Sequence, residues 1–407
     1  MPEHPALARR LSFGLVTFYG LGTTLGAGIF VLLGAVAAAA GPWTPLAFLL
    51  AAAIAAVTAM SYAELVRRLP VCAGEAMYVD AAFGRPLLTR AVGLTVASVG
   101  IVSAATIVNG CAAYTDFFVP LPKDLAITLM VLTLTAVAIV GITVSAWVAS
   151  LMTVAGIAGL VLVIAFAGRA MDGPGVLAAL TPPTELKLLG GITAGAFLAF
   201  FAFLGFEDMV NVAEEVHDAR RTLPRAILAA LGIATLLYVL IALTAMAAVP
   251  LDQLAGSEAP LAILIAPYGV DVRIIAGISF MAVINGALVQ TIKSARVLYG
   301  LARAGHLPAL LARISPRTRT PAVATVVVSL LVLGFATSLE LVALARVASF
   351  ITLALFATVN FALLVLRRRE ARAAGLSRAH LWLPLGGMCL SLALVVAELV
   401  TVVTQMD

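Results

Sequence analysis

The stretch that decides the fold is GLGTTLGAGIF, residues 20–30, inside an apolar run close to the N-terminus. Each glycine in a helix interior costs about 1 kcal/mol relative to alanine. Gly26 and Gly28 are two residues apart, so they share no helix face. The pattern favours a local break that frees backbone groups for a ligand. Close helix packing through the Gly22-xxx-Gly26 pair is the alternative interpretation.

The composition around this stretch is that of a membrane protein. Of the 407 residues, 63% are hydrophobic and 11% are charged, whereas soluble domains contain about 25% charged residues. The chain has too little polar surface for a soluble enzyme, a nucleic-acid-binding protein or a disordered protein. We expect an all-α polytopic membrane protein with about 11 transmembrane helices, each of about 20 apolar residues. The predicted spans are roughly 13–38, 45–66, 87–113, 124–142, 146–169, 191–213, 225–249, 272–302, 321–338, 341–366 and 381–403.

Basic residues predict the orientation of these spans. With the N-terminus in the cytoplasm, nineteen of the 25 lysines and arginines fall on the cytoplasmic side, five fall outside, and Lys293 lies within a span. Cytoplasmic loops are enriched in basic residues, so we expect a multi-pass protein of the plasma (cytoplasmic) membrane with a cytoplasmic N-terminus. The cytoplasmic segment 70–84 is predicted to form a short interfacial helix, and segment 251–268 an external cap.

A second interruption is predicted in span 6, where FFAFLGFED occupies residues 200–208. A single glycine between aromatic residues is followed at once by Glu207 and Asp208. Acidic residues inside a membrane are expensive to bury and usually mark a functional site. A position of the two acids near the cytoplasmic headgroups is the alternative.

The spacing of the two interruptions predicts an inverted repeat. Spans 1 and 6 would each open a unit of five helices, and the odd number of spans inverts the second unit relative to the first. Paired interrupted helices in such repeats point to the midplane site of a secondary transporter. The predicted repeats cover about 13–169 and about 191–366, with an extra helix at about 381–403, in one transmembrane domain, 1–407.

The two breaks would offer complementary backbone charges. The outer half of span 1 would begin with free N–H groups and the positive end of a helix dipole, which attract a carboxylate. Carbonyl groups freed at the span 6 break can accept hydrogen bonds from an ammonium group. Together they match both ends of an amino acid zwitterion without any charged side chain.

Four stretches resemble the amino acid–polyamine–organocation (APC) transporter superfamily. They are GTTLGAGIF in span 1, SYAELVRRLP followed by AGEAMYVDAAFG after span 2, FFAFLGFEDMVNVAEEVHDARRTLPRAI in span 6, and NGALVQTIKSARVLYGLARAGHLP followed by TPAVAT after span 8. They keep the order of the family and extend from span 1 to span 10. The resemblance implies an amino acid permease with a LeuT-type 5+5 inverted repeat, which moves amino acids or related amines by alternating access.

The resemblance also implies roles for residues at both breaks. The substrate carboxylate should be surrounded by Thr23, Gly26, Ala27, Gly28 and Ile29. The carbonyls of Phe201, Phe203, Leu204 and Gly205 should accept hydrogen bonds from the substrate amine, with the aromatic rings acting as gates. Gln290 should lie at substrate level. The candidates for coupling or gating are Phe206, Glu207, Asp208 and Lys293. Two of the four phenylalanines at 197, 200, 201 and 203 are expected to face lipid instead.

Lys293 departs from the pattern of the family. Some proton-coupled members carry a lysine in span 5 that replaces a sodium ion, whereas span 5 of this chain has no lysine. We expect the Lys293 ammonium to occupy the sodium site, facing carbonyls of span 1, and to exchange a proton because loss of hydration favours the uncharged form. The alternatives are snorkelling to the interface or pairing with Glu207 or Asp208.

Many members also have twelve spans, where eleven are predicted here.

The expected function is secondary active transport, as proton-coupled uptake of a neutral amino acid, with sodium coupling less favoured. One alternative is an amino acid/polyamine exchanger for cationic substrates, and another is a membrane nutrient sensor that binds without transport. We expect no catalytic residues, no metal, no cofactor and no nucleic-acid partner. The expected partners are a small-molecule amino acid or amine and the lipid bilayer, and the oligomeric state stays open.

Overall fold

The computed structural model describes residues 11–70, 74–140, 142–172, 179–183, 185–374 and 381–406. Within these ranges the chain is helical apart from its connections and one isolated bridge between Leu11 and Val216. The predicted all-α class is therefore confirmed. Arg9, Arg10 and Arg378, which contribute to the predicted orientation, lie outside the described residues.

The α-helices follow one another with short connections. The first repeat predicted from the sequence contains α1 Phe13–Thr24, α2 Ala27–Phe30, α3 Leu33–Ala40, α4 Thr44–Arg68, α5 Gly74–Phe83, α6 Pro86–Thr115, α7 Lys123–Val140 and α8 Ile142–Ala167. The remainder contains α9 Leu186–Phe200, α10 Ala219–Ala248, α11 Leu251–Ala255, α12 Pro260–Ile265, α13 Val272–Arg303, α14 Ala322–Ser338, α15 Leu341–Ala374 and α16 Trp382–Met406.

The long helices confirm a multi-pass membrane protein. Nine segments of the described chain are long and apolar enough to cross a membrane, and α3 and α4 count together as one of them. Predicted span 9 corresponds to α14, a shorter apolar helix of 17 residues. Predicted span 1 is divided among α1, α2 and α3, so none of its pieces reaches the length of a span.

The predicted break in span 1 is present in the structure. Helix α1 ends at Thr24 and α2 begins at Ala27. Between them, the N–H of Leu25 still donates to the carbonyl of Leu21 at 2.7 Å, and the N–H of Gly26 turns to the carbonyl of Thr24 at 2.9 Å. A further interruption separates α2 from α3, and the sequence pattern did not predict it.

The predicted break in span 6 is also present. Helix α9 ends at Phe200 and passes through a 3₁₀ turn, Phe201–Phe203, into the extended residue Leu204. Gly205 follows with φ of +123°, and a 3₁₀ helix then runs over Phe206–Glu215. A φ in this range is open to glycine and strained for any residue with a Cβ.

The expectation that two phenylalanines of span 6 face lipid was wrong. Phe197, Phe200, Phe201 and Phe203 are all buried, none more than 4% exposed. The reason is that α9 packs against α3, α4, α15 and α16, so its aromatic residues are enclosed by protein on every side.

The two breaks lie in direct contact. A Cβ on Gly28 would stand 2.1 Å from the Cα of Ala202, and a Cβ on Gly205 would stand 2.3 Å from the carbonyl oxygen of Thr23. Both distances are far below van der Waals contact. The glycines of the two motifs therefore allow one interrupted backbone to touch the other.

The two structured loops predicted from the sequence are helical. Helix α5 occupies most of segment 70–84, whose residues 71–73 lie outside the described part of the chain. In segment 251–268, α11 and α12 pack on the first repeat: a Cβ on Gly34 of α3 would lie 2.7 Å from the carbonyl oxygen of Leu254.

At the end of α4, Glu64 pairs with both Arg68 and Arg367, and the pair with Arg367 joins α4 to α15.

Replacing Gly205 with Ala should destabilise the protein by about 1–3 kcal/mol, because the backbone strain at this φ adds to a clash with Thr23. The measurement is the melting temperature of the purified protein in detergent. Gly190→Ala in α9 is the matched control, because its Cβ would enter open space and alanine favours a helix. An unchanged melting temperature for Gly205→Ala would contradict the contact between the breaks.

Candidate functional site

The hydroxyl of Thr23 connects the two breaks. Its Oγ1 lies 2.9 Å from the carbonyl oxygen of Gly20 in its own helix and 2.9 Å from that of Gly205 across the contact. Thr23 is buried. The Thr23 hydroxyl therefore joins a carbonyl of its own helix to one at the span 6 break, where the carbonyl of Gly205 also accepts the N–H of Asp208.

A second hydroxyl, from Tyr238 of α10, lies on the same contact. Its oxygen is 2.8 Å from the carbonyl oxygen of Thr24 and 3.0 Å from that of Ala202. The ring is fully buried and packs edge-on against Phe203, with 5.2 Å between centroids. Tyr238 thus donates to one carbonyl from each break at the level where the substrate amine was predicted to bind.

The walls around the breaks are apolar. Ile29, Phe201, Phe203 and Leu204 are all buried. Gly26 has open space where a side chain would be, with no atom within 4 Å of a Cβ built there. The break in span 1 therefore leaves room beside Gly26, whose own N–H bonds the carbonyl of Thr24. The Ala27 side chain is outside the described residues.

An ion pair lies just beyond the span 6 break. The Lys293 ammonium of α13 donates to Asp208 Oδ1 at 2.6 Å, and the side-chain amide of Gln290 donates to Asp208 Oδ2 at 3.2 Å. The side chain of Lys293 is 10% exposed and that of Asp208 is 2% exposed. Removing one partner of such a pair leaves an uncompensated buried charge and costs about 3–5 kcal/mol.

Glu207 stands beside this ion pair. Its Oε2 accepts the N–H of Gly205 at 2.8 Å, which fixes the carboxyl against the break. Its Oε1 is buried and makes no hydrogen bond. A buried carboxyl group with a free oxygen can take up a proton, or it can accept a donor from a ligand.

Phe206 holds the segment after the break in an aromatic cluster. Its ring lies 5.8 Å from the ring of Tyr62 on α4 and 5.4 Å from that of Phe356 on α15. Phe206 therefore connects the break to α4 and α15.

The place where some family members carry a span 5 lysine holds neutral groups here. Thr153 of α8 lies against Gly22, whose Cβ would be 2.3 Å from Thr153 Oγ1. The amide of Asn285 on α13 reaches both the carbonyl of Gly22 and the Thr153 hydroxyl, each at 3.4 Å. The polar groups of α1, α8 and α13 thus meet each other at this level.

Of the positions considered for Lys293, the structure shows the alternative in which it pairs with Asp208, because a carboxylate is a stronger partner for an ammonium than the neutral carbonyls of span 1. Gln290, which is expected at substrate level, also bonds Asp208. The residue of α13 that approaches the span 1 break is Gly286, one turn earlier, whose Cβ would lie 3.9 Å from the Cα of Gly26.

Sequence reasoning missed three residues of this region. Tyr238 and Asn285 reach the breaks from α10 and α13, and Glu75 of α5 is buried close enough to Asp208 to feel its charge. Glu75 was visible in the sequence as an acid inside an otherwise apolar segment. Tyr238 carried no local signal, because a tyrosine in an apolar helix is common at membrane interfaces.

The comparisons with known proteins identify the class. A family model described as amino acid permease matches residues 16–405. The chain belongs to the amino acid permease family, whose members are membrane transporters rather than enzymes. The interrupted helices, their contact and the buried ion pair are thus features of a permease.

Individual relatives are similar over most of this chain. A branched-chain amino acid permease of Bacillus subtilis is 27% identical over 90% of this chain and 82% of its own length. A vacuolar cationic amino acid transporter of Arabidopsis thaliana is 29% identical over 89% of this chain, which spans 64% of that longer protein. A methylthioribose transporter of Bacillus subtilis is 27% identical over 90% of this chain and 82% of its own length.

Replacing Tyr238 with Phe removes the hydroxyl that bonds the carbonyls of Ala202 and Thr24, of which the Thr24 carbonyl keeps the N–H of Gly26. An unsatisfied buried acceptor costs about 1–3 kcal/mol, so we expect a lower melting temperature in detergent. Tyr268→Phe is the control, because its hydroxyl donates over 3.4 Å to Ala167 in a partly exposed place. Equal shifts for the two variants would show that the Tyr238 hydroxyl does not hold the breaks together.

Proposed function

We propose that this protein imports neutral amino acids across the plasma membrane in symport with protons. The observation that carries the proposal is the buried Lys293–Asp208 pair beside Glu207, directly beyond a break that leaves backbone groups free. A site made from backbone suits the part that all amino acids share, and a buried cluster of acids and one base suits proton exchange.

Substrate binding in this proposal uses both breaks. The carboxylate takes the N–H groups at the start of α2, from Ala27 to Ile29, beside the open space at Gly26, whose own N–H bonds Thr24. The ammonium donates to carbonyls of the span 6 break and displaces the Tyr238 hydroxyl from Ala202. The exchange of one donor for another keeps the carbonyl satisfied in both states, so binding costs little desolvation at that oxygen.

Coupling in this proposal involves the residues that follow the span 6 break. Glu207 bonds the N–H of Gly205, so movement of the break on substrate binding changes the surroundings of its carboxyl. Asp208 remains paired with the Lys293 ammonium. Protonation of Glu207 removes a negative charge from a region that already holds the carboxylate of Asp208. The free energy of the closed state, in which these groups are buried, is therefore lower.

The proposed movement is alternating access between two inverted repeats, about 13–169 and about 191–366, with a cytoplasmic N-terminus. The interrupted helices at the start of each repeat support this assignment, because secondary transporters rock one repeat against another around a midplane site. In this arrangement α11 and α12 cover the external side, and α5 lies on the cytoplasmic side.

A cationic substrate is the second candidate. The free Oε1 of Glu207 could accept a cationic side chain, and cationic amino acid transporters are among the similar proteins. The apolar walls formed by Ile29, Phe201, Phe203 and Leu204 favour a neutral side chain, since a cation among them would lose hydration without a partner.

Uptake into proteoliposomes tests both candidates. Purified protein is reconstituted, and labelled leucine, alanine, arginine and putrescine are offered with and without an inward proton gradient, in the absence of sodium. Gradient-dependent accumulation of leucine or alanine supports the proposal. Uptake that requires internal substrate and favours arginine or putrescine supports a cationic exchanger. Binding without flux for any compound supports a sensor.

Lys293→Ala should abolish proton-driven uptake. The change leaves Asp208 buried without its partner, so the variant should also melt at a lower temperature. The double variant Lys293→Ala/Asp208→Asn removes both charges and should recover much of the stability while still lacking proton-driven uptake. Full proton-driven uptake by Lys293→Ala would remove this lysine from the coupling mechanism.

A further inference from the structure

The buried acid Glu75 lies outside the transport site described so far. It is the second residue of α5, on the predicted cytoplasmic side, and it is only 2% exposed. Its Oε1 accepts the hydroxyl of Tyr62 at 3.3 Å. Burial of a carboxyl group costs stability unless its polar atoms are paired, so we expect Glu75 to have a function.

Helix α5 packs directly on the segment that follows the span 6 break. A Cβ on Gly74, the residue before Glu75, would lie 2.3 Å from a methyl group of Val210. The glycine allows α5 and segment 206–215 to touch. Any movement of this segment relative to α5 would therefore open the surroundings of Glu75 to the cytoplasm.

The titratable groups that act on Glu75 come from three neighbours: Tyr62 of α4, Asp208 of segment 206–215 and Lys293 of α13. Tyr62 in turn lies close to Glu207 and to Tyr78 of α5, so it stands between Glu75 and Glu207. Helices α6 and α15 also pack on α5, with contacts in its C-terminal half, where Thr89 bonds Asp80 and Phe361 stacks on Phe83. One ammonium thus serves three carboxyl groups.

The charge balance requires a proton in this cluster. With Lys293 bonded to Asp208, ionised Glu75 and Glu207 would both be buried without a cation of their own. Burial raises the pKa of Glu75 to about 7, against smaller opposing effects that include the Lys293 ammonium. Below this pH the carboxyl is protonated and neutral, and above it the carboxylate forms.

We propose that Glu75 is the group that releases the transported proton to the cytoplasm, an inference that rests on the proton coupling proposed above. The proton moves from the carboxyl of Glu207 past Tyr62, whose ring lies 5.8 Å from that of Phe206, to the carboxylate of Glu75. The O–H bond of Glu207 breaks as that of Glu75 forms. When α5 and segment 206–215 separate, the O–H bond of Glu75 breaks, the electron pair stays on the carboxylate, and water takes the proton.

The test compares two modes of transport in proteoliposomes with labelled leucine. Exchange against internal leucine at equal pH needs no net proton movement, whereas accumulation driven by an inward proton gradient does. Glu75→Gln should exchange at nearly the wild-type rate but accumulate about tenfold less or worse, as expected for loss of a proton-transfer group. Its uptake should also lose the dependence on internal pH on either side of about 7.

Asp80→Asn provides the matched control, since Asp80 is an acid of the same helix whose carboxylate bonds Thr89 at 3.0 Å. It should retain both modes of transport. If Glu75→Gln accumulates leucine to the wild-type level and keeps the same dependence on internal pH, the proposal is overturned. If the wild-type protein exchanges leucine but never accumulates it under a proton gradient, the proton coupling itself is refuted. This outcome is distinguished from failure of the Glu75 proposal because it concerns the wild type and not the variant.

Two further variants decide the matter if Glu75→Gln cannot be recovered folded. Glu75→Asp keeps the carboxyl on a shorter side chain, and Tyr62→Phe removes the hydroxyl that bonds Glu75. Both should keep exchange and move the midpoint of the internal-pH profile. Wild-type profiles in both variants overturn the assignment of Glu75.

Discussion

The contact between two interrupted helices is the constraint on which the rest of this structure depends. In a membrane interior, a backbone N–H or carbonyl that leaves a helix must find another partner, because water is absent. Here carbonyls of both breaks find hydroxyl donors at the contact, from Thr23 for Gly205 and from Tyr238 of α10 for Thr24 and Ala202. Glycine at 28 and 205 is required because any side chain would separate the backbones.

The charged groups are arranged around this contact rather than within it. Asp208 and Lys293 neutralise each other one step beyond the break, and Gln290 occupies the second carboxylate oxygen of Asp208. Glu207 is left attached to the break by one oxygen and free at the other. In the proposed mechanism this arrangement separates recognition of the substrate, assigned to backbone groups, from charge compensation, assigned to side chains.

Both breaks could be predicted from the sequence because their signals are local. Gly26 and Gly28 share no helix face, and Gly205 is followed by two acids within an apolar run. The partners could be predicted only as alternatives, as for Lys293, or not at all, as for Tyr238. The direction of a long side chain such as Lys293 depends on which helix lies opposite, and Tyr238 contacts residues more than thirty positions away.

The lipid-facing assignment of span 6 failed for a related reason. A helix that is apolar on all sides has no polar face to indicate which side meets protein. In the structure α9 lies between α4 and the pair α15 and α16, so Phe197 and Phe200 are enclosed as fully as Phe203. The extra helix α16 contributes to this enclosure, which the sequence pattern of span 6 alone does not reveal.

The most direct test of the account is a binding measurement on purified protein in detergent. The central claim is that the two breaks recognise the carboxylate and the ammonium of one amino acid. Leucine should raise the melting temperature, whereas leucine methyl ester, which lacks the carboxylate, and N-acetyl-leucine, which lacks the ammonium, should not. Stabilisation by either derivative equal to that by leucine would contradict recognition through both breaks.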